Sequence, residues 1–503
     1  MTELLTQAQG RSKHLEIENR LLREEIRLMR IEKFGAKSEQ LNDRQLALLE
    51  EEPSVNAAEV QNEAQVGAKD KELGPSGRGK NKRQNHPGRL ELPAHLPRVE
   101  EIIPAPDCDQ HCECCQQPNP IIGYEIKEEL DVEPSRYYVR VIKREKRACK
   151  QCPEQGVSTA PIPARIVEKG KLGDGFIVEA LIRKYADHLP FFRQSVMLKR
   201  DAGVEISRQV IGQSVLRAGV WLKPIQQQLK EDLINGGYIQ ADETPIGVQS
   251  DRVVGRNHKG YVFEYSRPGG AVVYDFRMSR GRDGPKEFLK DYGGILQTDG
   301  YVGYNEVEEQ CLRHAGCWAH GRRYFHKAHQ LAKNDPMPRE VLREIGRLYQ
   351  IEEQAREAQL TPEGRLALRK EHSEPIVAGL KERVLEIRAQ VLPKSALGKA
   401  CRYVLGQWSR LEVFLEYGQV EIDNNWCENA IRPVVLGRKN WLHIGDESAG
   451  PKIAAIMSVI ETCRRLKIDY RQYLTEVLPK LPSWSNNRVD ELTPISWQAS
   501  RSI

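Results

Sequence analysis

No run of apolar residues in this chain reaches the roughly 18 needed to cross a bilayer, and its start, Met-Thr-Glu-Leu-Leu-Thr-Gln, lacks the basic-then-apolar pattern of a secretion signal. Both absences point to the cytoplasm and to no membrane partner. A large excess of one charge is also missing. The 76 Lys+Arg and 71 Asp+Glu leave a net +5, too little for whole-chain charge to argue for nucleic acid. Nor do the 11 cysteines make an oxidised scaffold, because several lie far from the cluster near residues 108–152 and cytosolic disulfides are disfavoured. At 503 residues the chain has room for three or four units of about 150 each.

What is present begins with three carboxylates. In Tyr238-Ile-Gln-Ala-Asp242-Glu-Thr and Ile295-Leu-Gln-Thr-Asp299-Gly, an apolar, β-prone run stops at an Asp, which predicts a buried strand delivering an acid at its end. In Asp423-Asn-Asn-Trp-Cys-Glu428-Asn, Asp423 is placed to cap a helix, with Glu428 about one turn in. Each acid taken alone is as well read as an ordinary turn or cap residue. Converging, two Asp and one Glu would hold a pair of Mg²⁺ (or Mn²⁺) ions about 3.5–4 Å apart, suited to phosphoryl transfer.

The rest of the chain divides by composition. Residues 1–48 predict a coiled-coil helix, in which Leu15, Asn19, Leu22, Ile26 and Met29 form a heptad seam and a buried Asn19 sets register; an amphipathic helix packed on its own chain is the alternative. Residues 49–98 read as a flexible linker, basic in its second half. Residues 99–165 hold two Cys-x-x-Cys pairs, and their spacing favours Cys112, Cys115, Cys149 and Cys152 around one structural Zn²⁺, with Cys108 and Cys114 close enough to compete. Residues 170–232 read as helical and helix-turn-helix-like, with Ser207 as a cap and Arg208 near the start of a helix that would suit a major groove or plain packing.

Three strands, a helix and a further strand ending at Asp299 match the order of a ribonuclease-H-like α/β core over 236–334 and 421–445. A helical insertion over 335–420 and a helical module over 446–503 complete the chain. His320, Arg322, Arg323, Arg432, Arg438 and Lys439 cluster in sequence around the acids and are candidates to hold phosphates, with structural ion pairing as the competing account.

Together, Ala241-Asp242-Glu-Thr, Thr298-Asp299-Gly-Tyr-Val-Gly-Tyr304, Gly316-Cys-Trp-Ala-His320-Gly-Arg-Arg323-Tyr-Phe325 and the stretch from Asp423 to Pro433 resemble the insertion-sequence 66 family of bacterial DDE transposases. Phe34-Gly35 after the coil, the four-cysteine segment and the tail from Gly445 to Pro482 are similar to that family too. Outside the linker, the likeness covers most of residues 15–482. It implies a transposase in which Asp242 and Asp299 bind both metals and Glu428 completes one shell. Water would free a 3′-hydroxyl at an element end, and that hydroxyl would attack target DNA. The implied partners are double-stranded DNA at the terminal repeats and target, a second copy of the chain through the coil, and accessory proteins of the element, in a nucleoid-associated setting. It tilts Arg208 toward DNA. A nuclease that only hydrolyses, or a zinc-containing DNA-binding protein with a decayed centre, are the rival readings.

Overall fold

The computed structural model describes residues 137–148, 157–161, 164–250, 257–308, 311 and 313–501. The coiled coil, the linker and the candidate zinc ligands Cys112, Cys115, Cys149 and Cys152, with Cys108 and Cys114, lie outside the described residues. Two short antiparallel strands, β1 (Lys146–Ala148) and β2 (Val157–Thr159), flank Cys149 and Cys152 in sequence.

Helices α1 (Asp174–Tyr185) and α2 (Phe191–Ala202) follow; Pro190 starts α2 and Gly203 ends it at φ 65°, a backbone conformation that suits a residue without Cβ. Ser207 then caps α3 (Arg208–Ile234), accepting from the Val210 N–H at 3.3 Å. The helix, glycine turn and capped helix expected here are present. Yet α3 runs for 27 residues, and Ile211, Val215, Ala218, Leu222, Ile225 and Leu229 make one buried face along it. Gly219 lets α3 approach α11 (Gly450–Arg465): a Cβ there would meet the Lys452 carbonyl oxygen at 2.6 Å.

The sheet has the order β5-β4-β3-β6-β7, with β8 (His443–Ile444) on the far end of β3. β3 (Tyr238–Val248), β4 (His258–Ser266) and β5 (Val272–Arg277) form an antiparallel meander. The short helix α4 (Asp283–Phe288) leads to β6 (Ile295–Gln297), which with β7 (Arg313–Ala315) runs parallel to β3. One sequence expectation needs correction. Asp242 does not end its strand, because β4 pairs with β3 from Gln240↔Ser266 to Val248↔His258 and carries it on to Val248. What ends near Asp242 is the ladder with β6, whose last pair is Gln240↔Gln297.

Helix α5 (Trp318–Leu331) opens the helical region after β7, followed by α6 (Pro336–Glu357), α7 (Pro362–Leu368), a π-helical turn (Arg369–Ser373), α8 (Glu374–Gln390) and α9 (Ala396–Gly406). Their apolar faces pack Trp318, Phe325, Ile345, Val384 and Val404 into one cluster with Ile295 and Ala315 of the sheet. Inside it, Arg369 donates to both oxygens of Glu352 at 2.6 and 2.8 Å and to the carbonyls of Phe414 and Val420 at 2.7 and 2.8 Å. Arg365 joins Glu352 to Glu421 at 2.5 and 2.6 Å. These helices are thereby tied to the stretch that leads into Asp423 and Glu428. A larger cluster unites α1, α3, the meander, α10 (Asn425–Trp441), α11 and α12 (Tyr470–Val477). No helix among the described residues is long and apolar enough to cross a membrane.

Candidate active site

Strand register brings the first two acids together. β3 and β6 are parallel and last pair at Gln240↔Gln297; two residues further on each chain stand Asp242 and Asp299. With side chains alternating at period two and strands about 4.8 Å apart, that places both carboxylates level and on one face. Gly300, at φ 92°, turns the chain away after Asp299, whose Oδ1 accepts from the Tyr301 N–H at 2.8 Å and whose carbonyl accepts from the Tyr403 hydroxyl at 2.6 Å.

A buried amide network sets the third acid beside them. Gln240 donates to Gln297 Oε1 at 2.8 Å and to the Asp423 carbonyl at 2.8 Å, while its own oxygen accepts from the Cys427 N–H at 3.2 Å. Gln297 donates to the carbonyls of Gly316 and Glu421, both at 2.8 Å, and Tyr238 donates to Gln297 at 2.5 Å. Helix α10 then lies along β3: Arg438 donates to Thr244 Oγ1 at 3.1 Å and to the Pro245 carbonyl, and β8 pairs with Gly247 and Val248. From Cys427 to Arg438 the helix rises roughly 16 Å, the span of β3 from Gln240 to Pro245. Asp423 sits one residue before the N-cap, Asn424, so it is not the cap itself; it accepts from the Asn425 N–H at 3.0 Å and the Tyr349 hydroxyl at 2.7 Å. Glu428 is in the first turn of α10, fully buried.

The acids act on one another. Burial pushes the Asp242 carboxyl well up, and the charges of Asp299, Glu243 and Glu428 push it further. Burial likewise pushes Glu428 well up, opposed by Arg323 and reinforced by Asp423 and Asp299. His320 Nδ1 is 3.3 Å from Glu428 Oε1 and an Arg323 nitrogen is 3.7 Å from Oε2, yet neither Glu428 oxygen makes a hydrogen bond. Burial, then Arg323, pushes His320 down to about 4, so its ring is neutral at pH 7. Glu243, on the opposite face of β3, is held by Arg280 at 2.6 Å and by the Tyr304 hydroxyl at 3.2 Å; burial and Asp299 push it up to about 7 all the same.

The candidate phosphate holders are distributed unequally. Arg323 is 38% exposed beside Glu428, Arg432 acts on Glu428 from within α10, and Lys439 and Arg208 are exposed. Arg322 is buried and acts on the Tyr349 hydroxyl, and Arg438 is engaged with β3; for these two the structure supplies intramolecular partners. Sequence reasoning missed Gln240, Gln297, Glu243 with Arg280, and Cys317. The glutamines did leave a signal: Gln240-Ala-Asp242 and Gln297-Thr-Asp299 repeat one pattern, with a polar residue inside an apolar strand.

A family model described as "Transposase IS66 family" matches residues 169–452 of the chain. Three more match elsewhere: "Transposase C of IS166 homeodomain" over 21–100, "zinc-finger binding domain of transposase IS66" over 109–153, and "IS66 C-terminal element" over 458–495. Among curated proteins, the chain is similar to two from Sinorhizobium fredii (strain NBRC 101917 / NGR234), both described as uncharacterized. y4qI is 31% identical over 490 residues, covering 93% of this chain and 87% of its own, and y4jD is 31% identical over 432 residues, covering 82% of each.

Proposed function

Because the chain belongs to the IS66 family of transposases, we propose that Asp242, Asp299 and Glu428 are the three carboxylates of a metal-dependent centre that cleaves DNA at the ends of a bacterial mobile element and joins them to target DNA. The observation that carries this reading is the shared register of Asp242 and Asp299, each two residues past Gln240↔Gln297, with Glu428 raising the Asp242 carboxyl from α10. The donor set fits hard divalent cations, which take oxygen ligands. Three like-charged groups crowd together, and the buried Glu428 oxygens make no hydrogen bond. Asp242 and Asp299 would hold both Mg²⁺ or Mn²⁺ ions and Glu428 would complete one shell. Bound there, the ions would neutralise charge on the reacting phosphate and activate the attacking oxygen.

The chain's own residues position these groups. Gln240 and Gln297 lock β3, β6 and the entry to α10 into one frame. Arg323 offers a partly exposed guanidinium beside Glu428, placed to hold a phosphate of the DNA end; Arg432, which acts on Glu428, and the exposed Arg208 and Lys439 would be further phosphate contacts. The sheet order supports a ribonuclease-H-like core over 236–334 and 421–445 interrupted by the insertion at 335–420. The other limits, 1–48, 49–98, 99–165, 170–232 and 446–503, belong to the same reading. So do one Zn²⁺ on Cys112, Cys115, Cys149 and Cys152, consistent with the family match over 109–153, self-association through the amino-terminal coil and recruitment of accessory proteins.

The test uses the full chain, Mg²⁺ and oligonucleotides carrying the element's inverted repeats. Freed 3′-hydroxyl ends and joined product are expected, and Asp299→Asn or Glu428→Gln should abolish joining while end binding persists. Cleavage with no joining would favour a hydrolytic nuclease. Salt-sensitive binding with neither would mean a decayed centre.

A further inference from the structure

Beside the oxygen-only pair of Asp242 and Asp299 lies a second donor set of different chemistry. Cys317 Sγ, a ring nitrogen of His320 and a carboxylate oxygen of Glu428 all lie within 4.8 Å of one another. The chain builds this locally: Cys317 is the N-cap of α5 and His320 stands one turn on, so Cys-Trp-Ala-His turns both side chains to one side. Glu428 arrives from the first turn of α10. Cys317 is 1% exposed and Glu428 fully buried, and neither the Glu428 oxygens nor His320 Nδ1 makes a hydrogen bond. Buried polar atoms left unsatisfied in this way are costly unless something fills the space between them.

The spacing suits a cation. Ligands at about 2.0–2.3 Å around a tetrahedral Zn²⁺ stand roughly 3.3–3.8 Å from one another, and His320 Nδ1 is already 3.3 Å from Glu428 Oε1. Sulfur and imidazole are poor ligands for Mg²⁺ and select borderline metals. We propose that Cys317, His320 and Glu428 form a three-ligand site for a borderline divalent cation, Zn²⁺ foremost, next to the oxygen-only position of Asp242 and Asp299. On binding, the Cys317 S–H bond breaks, its proton leaves to solvent and the sulfur bonds the metal as thiolate. Burial, then the charges of Glu428 and Asp423, holds the free Cys317 thiol well above its usual range, so it is the bond to the cation that displaces the proton. Three protein ligands leave a fourth position open. Glu428 belongs to both donor sets, so a cation held here withdraws its carboxylate from the centre proposed above; that consequence alone rests on the strand-joining reading.

Zinc bound to the full-length chain, stripped of metal and reloaded with Zn²⁺, is counted by elemental analysis. Cys317→Ser and His320→Gln should each bind one ion fewer than the parent, with unchanged far-ultraviolet circular dichroism, the four-cysteine segment keeping its own. Loaded with Co²⁺ instead, the protein should lose part of its sulfur-to-metal absorption on either substitution, because an emptied site carries no bond between Cys317 and the metal. Asp242→Asn should lose joining and keep the parent's zinc count, so a failure of the catalytic reading is told apart from a failure of this site. Equal zinc counts in the parent, Cys317→Ser and His320→Gln would overturn the proposal.

Discussion

Glu264 stands opposite Asp242 across β3 and β4 and is fully buried. Burial pushes its carboxyl up from 4.5 to about 7, against the pull of Arg465 and of a hydrogen bond with Cys427. A folded value above the unfolded one means that the native state keeps the proton longer. The stability this group contributes is therefore whole below about pH 4.5 and is lost as pH rises through about 7, by at most ~3 kcal/mol. Glu264→Gln, which carries no such proton, should gain in melting temperature relative to the parent as pH goes from about 5 to about 8. A calorimetric difference that stays constant across that range would remove Glu264 from the pH dependence. At this scale Asp242 and Asp299 stood out as acids following apolar residues, and Glu428 as an acid near a helix start. The network beneath them was not: Gln240 reaches Asp423 and Cys427, and Cys317 reaches Glu428, across more than a hundred residues whose proximity only the fold creates.

Two elements invite direct tests. The Arg369–Glu352 pair has both side chains fully buried, and removing Arg369 leaves buried Glu352 with Arg365 alone and takes a donor from the Phe414 and Val420 carbonyls. Arg369→Met should cost about 3–5 kcal/mol in unfolding free energy, and adding Glu352→Leu should restore much of it, because apolar pairs replace buried ion pairs well. A single substitution as mild as the double one, measured by denaturant unfolding, would show that the pair does not hold the insertion. At the crossing of α3 and α11, Gly219→Val should cost about 1–3 kcal/mol through overpacking against Lys452; no change in stability there would mean that the helices separate freely. The succession of strands along the chain, the Ser207 cap and the helices between 335 and 420 were readable from periodicity and capping residues. Where β3 ends was not, because pairing with β4 rather than the local run decides it. The length of α3 was obscured in the same way, since its buried face is defined by α11 and the meander.

At the scale of the molecule, a single apolar cluster runs from α1 and α3 through the meander to α11 and α12, so the helices before and after the sheet share its core. Basic residues on this body differ in what they can do for DNA. Lys439 is exposed, whereas Arg438, its neighbour, is tied to β3. Lys439→Ala should leave the melting temperature unchanged and reduce the slope of log affinity against log salt by about 1. Arg438→Ala should lower the melting temperature instead. A shallower salt slope for Arg438→Ala with unaltered stability would reverse the two roles. The central claim, that Asp242 and Asp299 share cations, is met most directly by anomalous diffraction from crystals grown with Mn²⁺. The account predicts a manganese peak in contact with both carboxylates and a second within reach of Glu428; manganese bound to either aspartate alone, or to neither, would contradict it.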